Sequence, residues 1–259
     1  MNNTIIANFN KYRPLLNELV TRDVKTKYRR SVLGVLWTLL NPLLMMVVLS
    51  VVFSQLFKFD IENYPLYLLA GQVVFNFFSA STTMDMSAII DNAPLIKKVY
   101  VPKYMFVLSR TVSSAINLMA SLAALLIVML CMRAELHYTA LLGILPILAL
   151  VAFSLGIGLI LASYAVKFRD IIHLYSVLTT VLMYLTPVIY PMSSLPRFVR
   201  NIVRINPLTS ILEMFRGFMI YGTMPDLFTT LMTVIPSALL LVAGFRVFYK
   251  NQDNFILYV

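Results

Sequence analysis

Two histidines, one cysteine and eight glycines are the residues of this 259-residue chain whose types could supply a general base, a metal ligand, a nucleophile or a phosphate cradle. Their spacing supports none of these. His137 and His173 fall on opposite sides of the membrane that the apolar runs imply, so they share no site, and the sequence contains neither an HExxH pair nor a nucleophile elbow. Cys131 stands alone, which excludes an intrachain disulfide or a thiolate cluster, and it reads as a small buried apolar residue. No glycine belongs to a G-x-x-x-x-G-K-S/T loop, so the chain does not hydrolyse ATP and any such energy must come from another subunit. Arg197, Arg200 and Arg204 recur at i, i+3 and i+7, the spacing of one helical face.

The scaffold that carries these residues is built of membrane helices. Sixty per cent of the chain is hydrophobic and 12% charged, far below the quarter or so of charged residues in a soluble domain. Six apolar runs are long enough to span: 35–57, 65–83, 106–132, 141–166, 174–190 and 227–248. The fold class expected is therefore an all-α integral membrane protein, a single transmembrane domain over residues 1–259 with no separate soluble domain. No cleavable signal peptide is expected, because residues 1–34 are polar and basic. With the N-terminus in the cytoplasm, 15 of the 21 lysines and arginines lie on that side, so both termini are expected to be cytoplasmic. The net charge of +10 thus records topology, and no nucleic-acid motif accompanies it.

Three segments outside the runs carry the functional reading. Residues 11–30 place Tyr12, Leu16, Val20, Val24 and Tyr28 on one helical face and Lys11, Glu18, Arg22, Lys25 and Arg29 on another, the pattern of an amphipathic interfacial helix within residues 1–34. In the cytoplasmic loop at 85–105, Pro94 is expected to start a short helix capped by Asp91 or Asn92 and ended at Pro102, exposing Leu95, Ile96, Val99 and Tyr100 as an apolar knob. Either a partner covers that knob or it lies along the bilayer surface. Between Thr186 and Asp226, Pro187, Pro191, Pro196 and Pro207 forbid one continuous helix, yet the intervening pieces are too apolar for a solvated loop. A re-entrant helix pair over 191–226, capping a pathway between spans five and six, fits best.

The spans hold no Asp, Glu, Lys or Arg at depth apart from terminal positions such as Asp85 and Arg110, which disfavours ion-coupled transport. Ser154, Gly158 and Ala162, with Gly156 adjacent, permit close helix packing. Tyr184, Thr186 and Tyr190, in the span feeding the insertion, face either lipid or a lumen.

In their order and spacing, the segments LVTRDVKTKYRRSVLGVLWTLLNPLL, NAPLIKKVYVP, VKFRDI, TPVIYPMSSLP and NPLTSILEMFR resemble the membrane subunit of type-2 ABC exporters, specifically the Wzm-type permeases of lipid-linked polysaccharide such as O-antigen, capsule or teichoic acid. The resemblance runs end to end. It implies a homodimer in the bacterial inner membrane, each subunit above a nucleotide-binding subunit, two copies in all, that holds ATP and magnesium, so that this chain needs no cofactor of its own. It implies that Pro94, Leu95, Ile96, Lys97, Lys98, Val99 and Tyr100 form the coupling helix, and that Tyr12, Leu16, Arg22, Lys25, Tyr28 and Arg29 line a cytoplasmic gate. Tyr184, Thr186 and Tyr190 would line the channel near a periplasmic gate, where Arg197, Arg200 and Arg204 meet a lipid pyrophosphate, anionic headgroups of membrane lipids, or water alone. The expected activity is ATP-driven export of a polyprenyl-pyrophosphate-linked polysaccharide. An exporter of a small hydrophobic drug or lipid, and a passive channel or scaffold without an ATPase, are the alternatives.

Overall fold

A computed structural model describes residues 2–28, 31, 33–57, 61 and 63–258. Among them there is no strand. The helices are α1 (Asn2–Tyr28), α2 (Trp37–Phe57), α3 (Tyr64–Asp91), α4 (Ala93–Ile96), α5 (Tyr104–Cys131), α6 (Ile144–Ala165), α7 (Asp170–Leu185), α8 (Arg197–Ile205), α9 (Pro207–Arg216), α10 (Leu227–Asn251) and α11 (Phe255–Tyr258). Helices overlie all six apolar runs. Four segments, Tyr64–Asp91, Tyr104–Cys131, Tyr138–Ala165 and Leu227–Tyr258, are long and apolar enough to cross a membrane, whereas the apolar stretches of α2 and α7 are shorter.

Local chemistry sets several boundaries. α3 opens with Pro65 in its first turn, and α9 with Pro207 behind Asn206, whose side chain accepts from the Leu208 amide at 3.1 Å. α7 stops at Leu185 rather than near Tyr190 because Thr186 precedes Pro187, and proline drives the residue before it out of the helical region; Thr186 is extended, at φ −112° and ψ 130°. Residues 186–190 are consequently neither helix nor exposed loop.

Two core clusters mark the two ends of the bundle. At one, Leu19 of α1, Ile89 of α3, Ile96 of α4, Phe106 of α5, Leu159 of α6 and Phe248 and Phe255 at the C-terminus pack together. At the other, the first half of α3 packs with Val188 and with Leu208, Leu212 and Phe215 of α9. Small residues let the central helices touch: a Cβ on Gly156 of α6 would strike the α10 backbone at Leu240, and one on Gly244 of α10 would strike Gly156 O. The other side of α6 meets α3, where Gly158 leaves room for the carboxyl group of Asp85.

Three expectations are corrected here. α3 runs to Asp91, so Asp85 is not at a terminus but fully buried between helices, accepting hydrogen bonds from Thr111 at 3.0 Å and Ser81 at 3.3 Å. The loop helix closes at Ile96, well short of Pro102, loosening into turns over residues 97–99, and Ile96 is buried in the core rather than exposed. Cys131 is exposed at the end of α5 rather than buried.

Candidate functional groove

On an apolar helix, a polar stripe requires polar residues at helical spacing, and α3 has one. Gln72, Asn76, Ser79 and Thr83 fall at i, i+4, i+7 and i+11 on a single face. Ser114, Asn117 and Ser121 of α5 repeat the device at i, i+3 and i+7, and Thr38 and Asn41 of α2 complete it. All nine residues line one cavity of about 880 Å³ between α2, α3 and α5, with Met183 of α7 and Val188 at its edge. Its one ionisable lining residue among those described is Lys27 of α1. A second cavity of about 540 Å³ shares Lys27, Met84 and Asn117 with the first and is also lined by the charged residues Arg22, Asp23, Asp91 and Arg110 and by Val24, Thr26 and Ser113. Together they form one groove, charged at the α1 end and neutral within the bundle.

At the charged end a latch joins α1 to three other helices. Asp23, its side chain 4% exposed, sits between two guanidinium groups: Arg22 donates to Oδ1 at 3.1 Å, and Arg110 Nη1 of α5 lies 3.3 Å from Oδ2. The second contact lacks hydrogen-bond geometry, leaving Oδ2 held by charge alone. Arg110 also pairs with Asp91 of α3 at 3.1 Å, and Arg22 donates to Asn92 Oδ1 at 2.9 Å. Asn92 is the N-cap residue of α4 yet makes no side-chain cap, since its oxygen is engaged by Arg22 and its amide donates to Ala88 O. Leu16 and Leu19 of α1 are buried against the bundle rather than facing an acyl layer, while Tyr12 is half-buried and Lys25 exposed. Arg29 and the Tyr28 side chain lie outside the described residues. Of the expected knob, Val99 and Tyr100 are exposed, Tyr100 at 94%; Lys97 and Lys98 flank them, Pro94 is exposed, and Leu95 is half-buried beside the core residue Ile96.

At the opposite end a buried arginine acts as a clasp. Arg216 of α9 is 3% exposed and its guanidinium donates to Pro187 O at 2.7 Å, Val188 O at 2.9 Å and Tyr67 O at 2.9 Å, while stacking 3.4 Å from the Tyr67 ring centroid. The Tyr64 hydroxyl donates to Ile189 O and the Tyr67 hydroxyl to Tyr190 O, each at 2.9 Å. Four consecutive carbonyls of a non-helical segment are thus satisfied by side chains, the condition for burying such backbone. Gly71 makes the approach possible, because a Cβ there would fall 2.5 Å from Arg216 Nη2.

The residues expected around this end are dispersed. Thr186 is fully buried and accepts from Asn206 Nδ2 at 3.2 Å, which makes it a fastener of α9 rather than a wall residue. Tyr184 is exposed, and the Tyr190 hydroxyl donates to its carbonyl. Arg197, Arg200 and Arg204 share α8 but point to different partners. Arg200 donates to Ser193 O and Leu195 O, Arg204 lies 3.8 Å from Asp226 and over the Phe228 ring, and Arg197 is exposed. Neither the polar stripes nor Arg216 stands out in the sequence. The stripes had a signal, the 72, 76, 79, 83 spacing, hidden in the averaged hydropathy of the run.

A bundle of apolar helices around a groove that carries polar stripes has the construction of a membrane transport protein. The chain matches the family described as ABC-2 type transporter over residues 14–220 and belongs to that family. Among its relatives is the O-antigen export system permease protein RfbA of Myxococcus xanthus, 30% identical with 97% of each chain covered. A protein of the same description from Klebsiella pneumoniae is 27% identical over 93% of each chain. The polysialic acid transport protein KpsM of Escherichia coli is 22% identical, with 83% of this chain and 85% of that protein covered.

Proposed function

We propose that this chain is the membrane permease subunit of an ATP-driven exporter that moves a polyprenyl-pyrophosphate-linked polysaccharide, O-antigen-like, out of the cytoplasm. The observation that carries this reading is the line of amides and hydroxyls along the groove. Sugar hydroxyls, which both donate and accept, can exchange water for these groups, whereas a hydrophobic drug or lipid tail would leave them unpaired. The descriptions of the relatives that name O-antigen export support the same substrate class.

In this arrangement the chain is one domain of the bacterial inner membrane, with both termini cytoplasmic by its lysine and arginine distribution. All six apolar helices cross the bilayer. The 16 residues of α7, about 24 Å of helix, are extended by the clasped segment 186–190. Two copies close the groove into a channel, each above one of two nucleotide-binding subunits that hold ATP and magnesium and perform the hydrolysis. Tyr100 and Val99, flanked by Lys97 and Lys98, contact that partner, while Leu95 and Ile96 root α4 in the bundle. Displacement of α4 pulls Asn92 from Arg22 and frees α1, whose Tyr12, Leu16 and Lys25 border the entrance. At the far end α8 and α9 form the re-entrant gate, held by Arg216, with Tyr184 and Tyr190 beside the exit.

The test is ATP-dependent transfer of an undecaprenyl-pyrophosphate-linked glycan into inverted membrane vesicles holding this chain and its ATPase. Transfer that disappears with a hydrolysis-dead ATPase is the expected result. A stable complex that hydrolyses ATP without moving glycan would overturn the proposal in favour of a drug or lipid exporter.

A further inference from the structure

The groove has a chemical bias that the export reading alone does not contain. Between Gln72 and Thr83 the α3 stripe covers about 16 Å, roughly half the hydrocarbon thickness, and none of its polar groups is ionisable. The facing residues Asn41, Asn117 and Ser121 are equally neutral. Carboxamides and hydroxyls offer both donors and acceptors, the complement of a sugar hydroxyl or an acetamido group, but no countercharge. Gln72, only 5% exposed, has a carbonyl oxygen with no hydrogen-bond partner among the described residues, so the protein has not fully absorbed the bonding capacity of this stripe.

The charged residues buried in the bundle lend the groove nothing. Asp85 faces Gly158 of α6 and is bonded to Thr111 and Ser81, and Arg216 is spent on three carbonyls at the far end. A second copy of the same sequence closing the groove brings the same two residues in the same places. The charges that do line it, on Arg22, Asp23, Lys27, Asp91 and Arg110, are confined to the α1 end. That end suits the single anionic linkage of a lipid-linked chain. A polymer carrying a carboxylate on every repeat would instead bring charge after charge into an unpaired, low-dielectric stretch.

We propose that the neutral stripe of α3 and α5 is a glycan-binding site that selects an uncharged polysaccharide, with Gln72, Asn76 and Asn117 as its contacts. This rests on the export reading and narrows it. The experiment compares two undecaprenyl-pyrophosphate-linked polymers of equal length, a mannan and a poly-hexuronic acid, in inverted vesicles holding the full chain with its ATPase. The mannan is expected to transfer faster by roughly ten-fold or more, the scale set by an uncompensated charge at membrane depth. Asn76→Lys is expected to narrow that gap by slowing the mannan and admitting the uronate polymer, and Asn76→Ala to slow the mannan alone. Uronate transfer equal to or faster than mannan transfer would overturn the inference while leaving export intact. Transfer of neither, with ATP hydrolysis intact, would overturn the export reading and this inference with it.

Discussion

The latch at the α1 end and the clasp at the α9 end both use arginine to tie helices together, and they differ in what the arginine holds. Arg22 and Arg110 grip side chains, Asp23, Asp91 and Asn92, each able to rotate away. Arg216 grips main chain: the Pro187 and Val188 carbonyls, which have no helical partner where the chain leaves helical geometry at 186–190, and the Tyr67 carbonyl in the first turns of α3. A side-chain pair exchanges partners at modest cost, whereas an orphaned buried carbonyl costs its full desolvation. The same residue type thus serves as a releasable contact at one end and as a permanent one at the other.

The sharpest way to break this contrast is to remove Arg216. Arg216→Ala leaves the Val188 carbonyl bare, at about 1–3 kcal/mol, and Pro187 O with only the Tyr67 hydroxyl at 3.3 Å, besides removing the buried stacking on Tyr67, and should strongly lower the yield of folded, detergent-extractable protein. Lysine should not rescue it, because three carbonyls around one side chain need the guanidinium fork rather than a point charge. Gly71→Ala, which drives a methyl group into Arg216 Nη2, should reproduce the loss in thermal-unfolding measurements.

Reversing the latch should act differently. Asp23→Arg or Arg110→Asp alone is expected to lower glycan transfer about ten-fold, the scale of a broken partly buried charge pair, while ATP hydrolysis continues. The double swap should restore a large part of it. Equal losses of transfer and thermal stability in the single variants, with no recovery in the swap, would make the latch merely structural. Next in size, Tyr100→Asp should leave folding unchanged at so exposed a position and weaken copurification of the nucleotide-binding subunit.

The smallest effect belongs to Asp226, which caps α10 through Thr229 and lies near Arg204. Its carboxyl group is held below the usual range, chiefly by the hydrogen bonds from Thr229. A depressed folded-state value means its stabilisation is present above the unfolded value and fades as pH falls through the folded one. Acid below about pH 4 should therefore loosen the start of α10 slightly. Asp226→Asn keeps the cap and should remove that pH dependence from the melting curve.

How much of this was legible follows from distance along the chain. The apolar runs and the proline-broken insertion are local patterns, and helices appear where those patterns lie. Thr186 ending α7 was written in the following proline, although the run's hydropathy masked it. The clasp was not legible, because Arg216 and Tyr67 stand 149 residues apart and a carbonyl acceptor leaves no mark on residue type. Ile96 illustrates the same limit: as sequence it belongs to an exposed knob, and only its packing with Phe106 and Leu159 retires it to the interior. The α8 arginines share a helical face as their spacing predicts, but Ser193, Leu195 and Asp226 had already engaged two of them.

The contact between Gly156 and Gly244 carries a consequence for how any cycle must be organised. At that crossing backbone lies on backbone with no side chain between, while Leu155 and Leu159 pack with Leu241 and Phe248 beyond it, so α6 and α10 sit as close as two helices can. A cycle that kept them together would leave its motion to the helices bordering the groove and to α1, tied on by charge pairs.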